Sequence, residues 1–167
     1  GGTFHDLSIE VILDSTTVTD NIPFTVLRNV LLPAASNLVV FGDSLSDMGN
    51  GNASLIVSVV FSSPPYWEGR FSNGEVWIEH VSDAYGLNTT VGSGFSMGDN
   101  RAFGGSQTGQ GYSYGIMPNS GAQINNYLAN VQSSFTNSDV IFLWAGGNDF
   151  LYGSGNPDII SQNMASH

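Results

Sequence analysis

Of the 167 residues, 41 % are hydrophobic and only 10 % charged, and 14 Asp and Glu stand against three Arg and no Lys, for a net charge of −11. A chain this acidic offers no basic face to nucleic acid or to an anionic membrane surface. Without Cys it can build neither disulfides nor thiolate sites. The length suits one ordinary domain with a real core, and the low charge argues against disorder.

Residues 1–35 read as an N-terminal arm or the end of a preceding domain, with a boundary near 34–36. Ser8-Ile9-Glu10-Val11-Ile12-Leu13 and Phe24-Thr25-Val26-Leu27 are β-branched runs set apart by Asp and Pro, which predicts strand fragments. The chain does not open on Met, shows no signal peptide and contains no apolar run long enough to span a membrane. It is expected to be a piece of something longer.

From Asn37 the character changes. Leu38-Val39-Val40-Phe41 is apolar on both faces, as a buried parallel strand requires. Residues 42–54 form a Gly-, Asp- and Asn-rich loop running into a short helix start. Leu55–Phe61 is apolar but too short to arbitrate between strand and helix. Residues 62–74 are a loop rich in Pro, Gly and aromatics. Val76, Trp77, Ile78, Val81 and Tyr85 share one helical face over 75–85, with Asn73 as cap, Glu75 in the first turn and Gly86 as stop. The glycine-rich stretch 92–115 reads as loop, with a short strand about Arg101-Ala102-Phe103. Ile124, Tyr127, Leu128, Val131 and Phe135 predict an amphipathic helix over about 120–135. Asp139–Trp144 is a second strand expected to be buried on both faces, and it too runs into a polar turn, Gly146-Gly147-Asn148-Asp149.

Strands alternating with helices imply an α/β fold, a parallel sheet flanked by helices. In such sheets ligands sit at the carboxyl ends of strands, where both polar turns fall. A Ser just past a buried strand, Ser44, is pushed to the rim with its N–H, though a hydroxyl is a weak nucleophile until a base activates it. The same Ser could equally cap a helix, and Gly104-Gly105 and Asn148-Asp149 could be no more than turns. Asp47, Asn50 and Asn52 do not fit the spacing of a calcium loop, and neither metal nor cofactor is expected.

Four segments, in order over residues 38–150, carry a family resemblance. Phe41-Gly42-Asp43-Ser44-Leu45-Ser46-Asp47-Met48-Gly49-Asn50 resembles the first block of the GDSL, or SGNH, hydrolases. Gly69-Arg70-Phe71-Ser72-Asn73-Gly74-Glu75-Val76-Trp77-Ile78-Glu79 is similar to the segment that follows it in the lipase/acylhydrolase branch. Asn100-Arg101-Ala102-Phe103-Gly104-Gly105-Ser106 resembles the second block, and Gly146-Gly147-Asn148-Asp149 matches the third. Each is weak alone, and together they are specific. The resemblance implies the three-layer SGNH, flavodoxin-like fold, here incomplete, and a serine ester hydrolase. Ser44 would be its nucleophile. The N–H groups of Ser44 and Gly105 and the side-chain amide of Asn148 would form its oxyanion hole, each donor worth about 3 kcal/mol. Gly105 is preferred to Gly104 because the second-block glycine of the family precedes a small or polar residue. Asp43 and Asp149 are expected to order their turns rather than react.

One block is missing. The family supplies its base and orienting acid from Asp-x-x-His, and the three His here, His5, His80 and His167, follow Gly2, Trp77 and Met164 at that spacing. His80 is expected to face solvent or pack, and His167 to fray. The base-bearing segment is therefore expected beyond His167, and residues 36–167 are read as a partial hydrolase domain, inactive alone. A degenerate, non-catalytic binding module that keeps the fold is the alternative. The aromatics of Pro64-Pro65-Tyr66-Trp67 and Phe71 could shape a pocket or cover the sheet edge, and Arg70 could pair with Glu68, Glu75 or Glu79. The branch favours carboxylic esters, acyl lipids above all, as substrate. The acidity and lack of Lys suit an extracellular setting.

Overall fold

The structure, a computed structural model, describes residues 11–13, 16–18, 35–53, 65–91, 98–131 and 133–167. The chain divides into two compact units, Gly1–Pro33 and Ala34–His167. In the first, β1 (Val11–Leu13) pairs antiparallel with β2 (Thr16–Val18), Ile12 opposite Thr17. The runs expected at Phe24–Leu27 and Leu55–Phe61 lie outside the described residues.

The second unit is organised by β3 (Asn37–Gly42), which lies parallel to β6 (Asp139–Trp144) in unbroken register from Asn37 opposite Asp139 to Gly42 opposite Trp144. The other edge of β3 is also paired, by two extended pieces of chain. Asn88 O accepts from Leu38 N–H, and Asp99 O from Val40 N–H; Arg101 and Phe103 donate to the carbonyls of Val40 and Gly42. The short strand expected about Arg101–Phe103 is thus an extended segment laid along β3, with an isolated bridge at Val40–Asn100.

Because side chains alternate across a strand, β3 feeds two cores. Leu38 and Val40 join Met48, Val76, Ile78, Leu87 and Ala102 under α2 (Trp77–Tyr85). Val39 and Phe41 join Tyr127, Ile124 and Leu128 of α3 (Ser120–Asn130), with Phe135 beside them. Helices therefore flank a parallel sheet on both faces, the α/β arrangement expected. A continuous apolar run is the composition such a strand needs.

Four expectations are corrected. The cap of α2 is Val76, not Asn73: it has no capping side chain, and the Glu79 carboxylate, from the third residue of the helix, reaches back to accept Val76 N–H at 2.9 Å. Helix α3 stops at Asn130, short of 135; Phe135 still reaches the core from the following turn, its ring 6.3 Å from Phe41. Strand β6 is not buried on both faces, since Ile141 and Trp144 are 43 % and 53 % exposed and no strand among the described residues pairs with its second edge. The glycine-rich stretch carries a small antiparallel pair, β4 (Tyr112–Ser113) and β5 (Met117–Pro118).

Helix α1 (Asn50–Ala53) is the short helix expected after the first polar loop. Two further helices follow the second polar turn, α4 (Gly147–Tyr152) and α5 (Pro157–Ala165). The latter has a legible start: the Asn156 side chain accepts from Asp158 N–H, and Pro157 fills the first turn.

Candidate active site

The first polar corner is built by Asp43. Its backbone N–H donates to Trp144 O at 3.2 Å, its carboxylate accepts Leu45 N–H at 3.0 Å, and its carbonyl accepts Ser46 N–H. Burial pushes this carboxyl up, against the pull of the Leu45 N–H, and the Asp149 carboxylate adds to the rise. Asp43 therefore orders the turn. Ser44, between Asp43 and Leu45, is partly exposed, and neither its N–H nor its hydroxyl has a hydrogen-bond partner among the described residues.

The second corner, Phe103–Thr108, is stitched to the first. Asn50 Nδ2 donates to Asn100 O and Ala102 O, and Asn100 Nδ2 donates to Ser46 O. Asp47, fully buried, takes Gly49 N–H and Asn50 N–H on one oxygen and Gly51 N–H and Gly104 N–H on the other. The two glycines differ as a result. Gly104 N–H is taken at 2.9 Å by Asp47, whereas Gly105 N–H has no partner among the described residues. A Cβ at Gly104 would meet the tip of the Phe71 ring, which would have to move, and Gly105 has φ 82°, a conformation that disfavours any side chain, with Met117 Sδ against the corresponding point.

The third corner closes on the second. Asn148, buried at the start of α4, donates from Nδ2 to Ser106 O at 2.8 Å, which engages one of its two amide hydrogens. The Asp149 carboxylate accepts Thr108 N–H and Thr108 Oγ1–H, so it is structural, as expected. Gly147 lies close enough to the first corner that a Cβ there would sit 3.9 Å from Asp43 Oδ2. Ser44, Gly105 and Asn148 thus belong to three corners bonded or packed onto one another at the carboxyl ends of β3 and β6.

A buried amide ties these corners together. Gln123 Oε1 accepts Gly42 N–H at 2.8 Å, and its Nε2 lies within bonding distance of Gly42 O, Ser106 Oγ and Pro118 O. Neither Gln123 nor Asp47 was singled out by motif for this role. Asp47 does carry one local signal, an acceptor three residues before the N–H groups opening a helix; Gln123 carries none.

Among the described residues no histidine is hydrogen-bonded to Ser44, Gly105 or Asn148. His80 is exposed on α2 and faces the Glu75 carboxylate at 3.6 Å. The His167 imidazole lies near Gly121, and partial burial pulls its pKa down. His5 lies outside the described residues, as does Pro64. Of the aromatic loop, Phe71 packs on Gly104 and, ring to ring, on Tyr66. Arg70 stacks over Trp67 and pairs with Glu79 at 2.6 Å, with Glu68 at 3.8 Å.

Burial pushes the Asp47 carboxyl up to about 6, against four backbone N–H groups that pull it down. Between the unfolded value of 3.8 and this one the folded chain holds a proton the unfolded chain has lost. Stability therefore declines as pH rises from about 4 to about 6 and levels above it. Melting temperatures across that range check this: the slope is expected to become shallower in Asp47→Asn, the remainder including that of Asp43, which is shifted the same way, and a slope unchanged by that substitution contradicts the assignment.

A parallel sheet between helices, with glycine-bearing polar corners gathered at its strand ends, defines an α/β protein with a candidate site at the sheet rim. Residues 38–165 match the family model described as GDSL-like Lipase/Acylhydrolase, and the chain belongs to that family. It is 37 % identical over 119 residues to a phosphatidylcholine-sterol acyltransferase of Aeromonas hydrophila, covering 71 % of this chain and 34 % of the relative. It is 34 % identical over 133 residues to a thermolabile hemolysin of Vibrio parahaemolyticus, covering 74 % and 28 %. The chain spans about a third of the length of these curated relatives. No helix among the described residues is long and apolar enough to cross a membrane.

Proposed function

We propose that the protein is a serine ester hydrolase of the lipase/acylhydrolase kind. Ser44 Oγ attacks the ester carbonyl carbon and its proton passes to a base. The carbonyl oxygen, now negative, takes hydrogen bonds from the N–H groups of Ser44 and Gly105 and from the Asn148 amide. The alcohol leaves with a proton, and water then releases the acyl group from Ser44. The observation that carries the reading is the pair of unengaged N–H groups at Ser44 and Gly105, beside a Gly104 N–H that is engaged. An oxyanion hole needs donors held in place before the charge develops.

The substrate is a carboxylic ester with an acyl chain. Exposed apolar side chains adjoin the site in sequence, Leu45 after Ser44 and Phe150, Leu151 and Tyr152 after Asn148, and pockets for such chains are apolar with few polar groups. The relative named an acyltransferase supports transfer of the acyl group to a hydroxyl other than water as the second reading. On this reading the base and its orienting acid come from outside these 167 residues. These 167 residues alone are then expected to show little or no turnover. The acidity and absence of Lys support an extracellular setting.

The experiment is labelling of the full-length protein with a fluorophosphonate probe, followed by peptide mapping. The adduct is expected on Ser44. A modified residue elsewhere rejects Ser44 as the nucleophile, and no adduct on folded protein rejects the hydrolase and leaves the non-catalytic module.

A further inference from the structure

Among the buried polar groups outside the proposed machinery, the Asp47 carboxylate reaches furthest. Three of its hydrogen bonds are local, to Gly49, Asn50 and Gly51 at 2.8, 2.6 and 3.0 Å. The fourth crosses 57 residues to Gly104 N–H at 2.9 Å. The approach is close: a Cβ on Gly51 would sit 2.9 Å from Oδ2. The Phe71 ring also bears on Gly104, and Met117 bears on Gly105. The Gly104–Gly105 backbone is thus held from several directions. Of these groups only the carboxylate is a hydrogen-bond acceptor for its N–H.

We propose that Asp47 is the positioning residue of the oxyanion site: by taking up the Gly104 N–H it sets the orientation of the Gly104–Gly105 backbone and leaves the Gly105 N–H to the substrate oxygen. This rests on the hydrolase reading above. The chemistry is specific to a carboxylate. Each oxygen serves two donors, so an amide in its place sets an NH2 group against two backbone N–H groups whichever way it turns. Either Gly49 and Asn50, or Gly51 and Gly104, lose their acceptor. A displaced Gly104 carries Gly105 with it, and a donor misplaced at the moment charge develops costs turnover rather than substrate binding.

The test is Asp47→Asn in the full-length protein, at a pH above 7 and at a temperature where circular dichroism shows the variant folded. A fall in kcat of roughly 10- to 100-fold with KM changed by less than about twofold is expected, and the fluorophosphonate reaction at Ser44 slows in parallel. A folded variant with unchanged kcat, or one whose whole loss is in KM, overturns the proposal. A wild type that the probe leaves unlabelled defeats the hydrolase reading instead, so the two failures are told apart. If the variant does not fold, amide NMR of the wild type decides. The Gly104 N–H is expected to be protected from hydrogen exchange and Gly105 N–H not, and formation of the fluorophosphonate adduct is expected to move the Gly105 proton downfield. Equal exchange at the two glycines, or a Gly105 proton indifferent to the adduct, overturns the proposal.

Discussion

Replacing Ser44 by alanine is expected to lower ester turnover by the full-length protein on the order of 10⁵- to 10⁶-fold, with the melting temperature held within about 2 °C. The two halves of this expectation have separate causes. Without Oγ no acyl-enzyme can form, and what remains is the help the oxyanion donors give to water. Stability is spared because the hydroxyl is partly exposed and holds no partner among the described residues, so its removal orphans nothing. Asn148→Ala differs on both counts. Loss of one oxyanion donor costs about 10²- to 10³-fold in kcat. Loss of the bond to Ser106 O, 2.8 Å in a buried setting, costs about 1 kcal/mol of stability. Steady-state kinetics and denaturant melts on both variants read out the contrast. Full turnover by Ser44→Ala would remove the nucleophile assignment outright.

Gln123→Leu is expected to destabilise the second unit by about 3 kcal/mol, a drop of roughly 10 °C in melting temperature. The shapes are similar, so little of this is packing. Gln123 is 1 % exposed, and its Oε1 is the acceptor for Gly42 N–H. Leucine leaves that donor buried without a partner, a cost of about 1–3 kcal/mol, and also removes the bonds given to the carbonyls of Gly42 and Pro118. Those carbonyls keep second partners in Phe103 N–H and Ser106 Oγ, which bounds the loss. The damage also bears on the site, because Gly42 leads into Asp43 and Ser44 and Ser106 O holds the Asn148 amide. Activity is therefore expected to fall with stability in this variant, whereas in Ser44→Ala the two part company. A Gln123→Leu protein melting with the wild type would show that the buried amide does not tie these corners together.

Residues near in sequence were legible wherever a local rule governs them. The run Leu38–Phe41 was legible as a doubly buried strand because a short apolar run closed by Gly42-Asp43 suits a strand covered on both sides. The helical stripe from Val76 to Tyr85 and the glycine after it were legible for the same reason. So were the three glycine-bearing corners, since turns draw on few residue types. Local rules misled where a distant group took over. Asn73 has the right chemistry for a cap, but Glu79 reached back to Val76 first. The run Asp139–Trp144 has the composition of a buried strand, yet two of its side chains meet solvent because its second edge is unpaired among the described residues.

Composition and motif by themselves determined the α/β class, the order of the corners and the three residues proposed to meet the substrate. Which glycine has its N–H engaged, what fills the space behind it and what ties β3 to the loops around it were decided only in three dimensions. Asp47 meets Gly104 across 57 residues and Gln123 meets Gly42 across 81. A hydrogen bond between a side chain and a remote backbone leaves no periodicity in either segment. It exists only once packing has brought the two segments together and excluded water from both partners.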